Sequence, residues 1–132
     1  MEDRVKHRAR SSCLGLLVFC VWLAACASAP SQLSPIGRSA FYTMRVVRSL
    51  DMVRDIAISA NAQTPPLLST AVTRQVVEYH RSALLTMKQA PEGWKAVVST
   101  GLEQLSTKLL PDDLKQLKPY LDLTRVLLQE VP

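Results

Sequence analysis

The sequence predicts an all-α protein, a small antiparallel bundle of about four helices with the last one kinked at Pro119. Three observations carry that expectation. Apolar residues recur at mixed spacings of three and four along the chain, which is the period of one helix face. No stretch alternates β-branched residues at a period of two, and no Asn-Gly or Asp-Gly pair marks a hairpin. The breaks between the periodic stretches are short and carry Pro or Gly, which favours antiparallel neighbours.

The first helix is expected over residues 39–61, where Val46, Leu50, Val53, Ala57 and Ala60 form the buried stripe and Phe41, Met44 and Ile56 flank it. Arg48 with Asp51, and Asp51 with Arg54, stand in helix-neighbour register on the polar side. Gln63, Thr64, Pro65 and Pro66 end this helix and can open a second, because Pro fits a first helical turn, where its missing N–H is not needed. The second runs to about Gln89 on Leu68, Val72, Val76, Tyr79, Ala83 and Met87. Ala90, Pro91, Glu92 and Gly93 break the chain before a third helix on Trp94, Val98, Leu102, Leu105 and Leu109. Pro111, Asp112 and Asp113 open the fourth, where the acids complement the positive end of the helix dipole. Leu114, Leu117, Leu121, Leu127, Leu128 and Val131 carry its apolar face. Pro119 removes a backbone donor inside it and is expected to kink or restart the helix.

The 132 residues, 48% of them hydrophobic, with three Cys and four Gly, exclude a large multi-domain enzyme, a disordered acidic tail and a disulfide-rich scaffold. Four of the 16 basic and two of the 11 acidic side chains lie in the first ten residues, which leaves 12 against 9 and a net charge of +3. That balance is too small and diffuse for a nucleic-acid footprint.

The N-terminus reads as an export signal. A basic stretch is followed by the uncharged apolar run from Cys13 to Ala25 and then by small residues and Pro30, the order of a secretory signal peptide. The run has 13 residues, and a spanning helix needs roughly 20. Leu23, Ala24, Ala25 and Cys26 resemble the lipobox of bacterial lipoproteins, an aliphatic residue and two small ones before Cys. The resemblance implies that a dedicated signal peptidase recognises Leu23, Ala24 and Ala25 and cuts before Cys26, whose thiol and new amino terminus are acylated. The resemblance implies a removed signal peptide (residues 1–25) and a lipidated Cys26; the Ser, Ala and Pro composition without an apolar period makes the stretch up to 38 a flexible tether (26–38), and the periodic stretches form a helical bundle domain (39–132). Ala27, in place of an Asp, resembles the pattern sorted to the outer membrane. Two alternatives stand beside it, an uncleaved anchor with Cys26 as a buried thiol, and ordinary cleavage after Ala29. The residues from Ala27 to Arg38 would span about 20 Å as a flexible chain. Cys13 and Cys20 fall in the signal, so the mature chain can form no internal disulfide.

The chemistry of the remaining chain is sparse. His80 is its single His, placed at the edge of the second stripe, and is expected to be a boundary residue capped by a polar neighbour, without a catalytic or metal role. Asp51 with Asp55 and Asp112 with Asp113 are expected to serve surface pairing and the helix dipole. Gly93 and Gly101 are isolated and form no phosphate-binding loop. Trp94 is expected in the core. Arg38, Arg45 and Arg48 lie near the tether, within reach of anionic headgroups, although Asp51 and Asp55 interrupt the run and favour a solvated face. The expected function is a small lipid-anchored periplasmic protein, a non-catalytic binding or scaffold module with a protein partner in the envelope and no cofactor, metal or nucleic acid. Its expected place is the outer membrane, facing the periplasm. Two other classes stand behind it: a membrane-active or envelope-stress lipoprotein that engages lipid through an amphipathic helix, and, least of all, a small cell-wall hydrolase.

Overall fold

The computed structural model describes residues 32–132, so Leu23, Ala24, Ala25 and Cys26 lie outside the described residues. Ser39–Pro132 form one compact unit, which holds all but the first residues of the bundle. Four helices follow in order: α1 Pro35–Asn61, α2 Thr70–Gln89, α3 Trp94–Lys108 and α4 Pro111–Glu130. No strand occurs among the described residues.

α1 begins before the position that its apolar period marks, inside the stretch expected to be tether. The local chemistry explains this. The Ser34 side chain accepts a hydrogen bond from the Gly37 N–H at 3.1 Å, and the Ser34 carbonyl accepts from Arg38 N–H at 2.9 Å. Pro35 takes the first helical position, where no N–H is required. α2 begins later than the two prolines allow. Leu67 N–H turns back to the Ala60 carbonyl at 2.9 Å, and Ser69 caps the helix by accepting from Val72 N–H at 3.2 Å. Gly93 precedes α3 with φ of 94°, the left-handed region where a side chain would be strained. α4 has no side-chain cap but carries Pro111, Asp112 and Asp113 in its first turn.

The expected kink does not become a break, because α4 is assigned as one helix through Pro119. Pro119 and Lys115, whose carbonyl loses its helical donor, are both exposed, so water can satisfy the freed oxygen.

Polar contacts close the four helices into a ring. Asp51 of α1 meets His80 of α2 at 2.6 Å, and Tyr79 of α2 donates to the Val98 carbonyl of α3 at 2.9 Å. Arg125 of α4 donates to Glu103 of α3 at 2.6 Å, and Lys95 of α3 to the Val131 carbonyl at 2.7 Å. Ser49 of α1 meets Thr124 of α4, and Arg45 meets Glu130 at 3.5 Å. The pairings between α1 and α4, and between α3 and α4, run antiparallel. Inside the ring lie most of the periodic residues of the four stretches, with Val46, Val76 and Leu117 fully buried and Trp94 at 7% exposure, while Val72, Tyr79, Met87 and Leu114 pack against this core half-buried.

Ser49, Thr124 and His80 are the buried polar residues among those described, and the first two face each other. The Thr124 hydroxyl donates to the Tyr120 carbonyl at 2.8 Å, so its oxygen receives the Ser49 hydroxyl proton. Sliding α1 along α4 would leave the Ser49 hydroxyl without this acceptor in apolar surroundings at about 1–3 kcal/mol, while Thr124 keeps its bond to Tyr120, so the pair favours one register.

Because Pro119 is exposed, Pro119→Ala is expected to raise stability by about 1–3 kcal/mol as the helix regains a donor and loses a clash. A urea denaturation midpoint that stays put or falls would show that α4 requires the proline.

Candidate functional site

α2 and α3 pack against each other more extensively than any other pair of helices among the described residues, and small residues permit it. A Cβ added at Gly101 would lie 2.9 Å from Cε2 of Tyr79, so the ring occupies the place of a side chain on α3. The outward positions beside this contact are also short. Ser82 and Thr86 follow Glu78 along α2 at four-residue steps, and Ala96, Thr100 and Gln104 do the same along α3. Such side chains cannot fill the furrow between two helices, and an open groove of about 470 Å³ results, with Tyr79, Ala83, Val97 and Val98 as its apolar part. It continues into a second hollow of about 300 Å³ that shares Tyr79, Ser82, Gly101 and Gln104 and ends at Gln75, Glu78 and Lys108.

The main hollow carries no charged side chain. Its one titratable group is the Tyr79 phenol, which burial and then the nearby Glu103 carboxylate push well above its ordinary value of 10. That hydroxyl is also committed to the Val98 carbonyl. A phenol so placed keeps its proton at neutral pH and serves poorly as an acid or base. The groove therefore offers shape, apolar surface and hydroxyl groups, which suits binding a neutral surface such as one face of a helix.

His80 lies apart from the groove. Its side chain is 7% exposed and its Nε2 meets Asp51 Oδ1 at 2.6 Å, while Arg54 reaches the same oxygen at 3.9 Å. This is the capped boundary position that the stripe predicts. No group of three or more His, Cys, Asp and Glu that could hold a metal occurs among the described residues. Asp55 pairs with Arg54 at 2.9 Å, and Asp112 and Asp113 stand in the first turn of α4. Arg48 leaves Asp51 to Arg54 and His80 and has no ion pair among the described residues. Trp94 is buried and contributes to the core instead of to a surface.

The sequence pattern does not reveal the groove, because along the chain Gly101 is an isolated glycine and Tyr79 one more stripe residue. The signal that could have found it is the run of short side chains at four-residue spacing on two consecutive helices, outside the apolar stripe. Comparison of the chain with known protein families, with characterised proteins and with solved structures finds no match.

Two outcomes check these assignments. The folded chain holds the Tyr79 proton to higher pH than the unfolded chain does, so the stability from this group is complete below pH about 10 and is lost as pH rises further. Tyr79→Phe is expected to make the alkaline fall of the urea midpoint shallower; equal falls would show that another group controls it. His80→Ala is expected to cost about 1–3 kcal/mol through a lost buried hydrogen bond and a cavity, while any cellular phenotype survives at permissive temperature. Complete loss of phenotype in a variant that unfolds at the normal midpoint would instead assign His80 a chemical role.

Proposed function

We propose that the protein is a lipid-anchored helical binding module of the bacterial envelope, acylated at Cys26, placed at the outer membrane facing the periplasm, with no catalytic role. The observation that carries this reading is the series Leu23, Ala24, Ala25 and Cys26 directly behind an apolar run, with a bundle following after a short link. Three acyl chains would anchor far more firmly than the marginal hold of one chain, at ~0.8 kcal/mol per buried CH2. Since α1 starts at Pro35, eight residues separate Cys26 from the helix, a reach of at most about 28 Å. The anchor thus restricts the bundle to a layer next to the bilayer.

The groove between α2 and α3 supports the binding half of the reading. It is uncharged in its main part and lined by short side chains with hydroxyls at regular helical steps, a surface that accepts one face of a partner helix. The scaffold beneath it is rigid, because Tyr79 is bonded to α3 and packed on Gly101. A binding surface on such a base loses little conformational entropy on association.

Cys26→Ser is expected to abolish acylation, block processing and leave the precursor in the inner membrane. The measurement is intact mass and membrane fractionation of the tagged chain, followed by crosslinking capture from the native envelope. Recovery of one partner near equal amounts with the native chain, and its loss in the variant, is the expected result. A variant that is processed and sorted normally would contradict the anchor, and capture of no protein by the native chain would contradict the binding module.

A further inference from the structure

The side of α2 turned away from α3 carries a row of cations that the bundle does not use. Tyr79 reaches α3 through its hydroxyl, and Arg74, Arg81 and Lys88 each stand roughly 180–220° round the helix from it, at 100° per residue. All three are exposed, and none has an ion pair among the described residues. Steps of seven residues set them about 10.5 Å apart in a nearly straight line that drifts only ~20° at each step. Leu85, 51% exposed, stands between Arg81 and Lys88 on the same side.

The acids within reach of this row are engaged elsewhere or turned away. Glu78 stands one turn from both Arg74 and Arg81, the register in which helix ion pairs form. It nevertheless pairs with neither, and lines the hollow on the α3 side with Lys108. Across the junction with α1, Asp51 is taken by His80 and Arg54, and Asp55 by Arg54. Glu92 lies in the turn beyond α2 and makes no ion pair with Lys88. The row therefore keeps its positive charge uncompensated.

We infer that this side of α2 docks an acidic helix of a partner protein, whose carboxylates repeat every seven residues and meet Arg74, Arg81 and Lys88 in turn, with an apolar residue between them against Leu85. Where two helices lie side by side, flanking charges at that repeat select the partner and its register. The arginines can each grip a carboxylate through two N–H groups. A second copy of the same face is the wrong occupant. Antiparallel about Arg81, it would set Arg74 against Lys88 and Arg81 against itself, and like charges so placed repel. A bilayer offers phosphates without a seven-residue repeat, and one large exposed apolar side chain is too little for an interfacial helix. The face lies opposite the groove on α2 and depends on neither the groove nor the anchor.

The test uses the full chain, as processed in a bacterial envelope and held in neutral detergent, with a fluorescent synthetic helix that carries Glu at every seventh position and Leu between. A second probe has the same composition with its Glu residues out of that register. Anisotropy at low ionic strength reads binding, and the in-register probe is expected to bind about tenfold more tightly than the other. Arg81→Glu should weaken it about tenfold, as one exposed pair is lost and a repulsion of similar size takes its place. A probe with its central Glu replaced by Lys should restore the affinity of that variant. Lys115→Glu changes the net charge equally on exposed α4 and should leave binding unchanged. Circular dichroism confirms that both variants fold. Equal affinity for the two probes, an equal loss in Lys115→Glu, or no rescue by the exchanged charge overturns the inference. Binding of short-chain phosphatidylglycerol but of neither probe overturns it as well, and assigns the face to lipid.

Discussion

The seating of Tyr79 on Gly101 sets the distance between α2 and α3, and much of the molecule follows from that distance. The ring stands where a side chain of α3 would be, and its hydroxyl donates to the backbone of α3 one turn away. Two helices held that close bury Val98, Leu102 and Ala83 behind the contact and leave a furrow on the outside. The furrow stays open because Ser82, Ala96 and Thr100 are too short to fill it. One aromatic contact thus supports the core and shapes the surface proposed for a partner.

Around that fixed pair the other helices are placed by directed contacts over an apolar core. The Ser49 and Thr124 hydroxyls set α1 against α4, and Asp51 with His80 sets α1 against α2. Apolar packing alone is tolerant of small shifts, since Leu, Val and Ala stripes can slide and repack. The buried Ser49 hydroxyl is not, because it must find the Thr124 oxygen or remain desolvated without an acceptor. The stripes provide most of the stabilisation, and these few polar contacts select one arrangement of them.

The helices were legible in the sequence because burial repeats with the helical period. Val46, Leu50, Val53, Ala57 and Ala60 all lie in the core, as do Trp94, Val98, Leu102, Leu105 and Leu109. Helix ends were less legible, because they depend on single capping groups. Ser34 and Pro35 extend α1 into a stretch whose composition resembles a linker, and Ser69 delays α2 past two prolines that could have opened it. Pro119 was legible as a local defect but not its consequence, which depends on the exposure of Lys115. The partner of His80 was not legible at all, since Asp51 lies 29 residues away and no local pattern joins them. The groove escaped for the same reason, as it is made by residues of two helices that a stripe leaves out.

The proposed function makes the outer side of the α2 and α3 pair the surface that meets a protein partner. Site-specific photo-crosslinking in the native envelope tests it most directly, with the reactive group placed at Thr100 in the groove or at Leu123 on the outer side of α4. Both positions are exposed, so neither substitution disturbs the core. A single discrete protein adduct from Thr100, absent from Leu123, is the result expected. Adducts from Leu123 alone, or none from either position in correctly anchored protein, would contradict the claim.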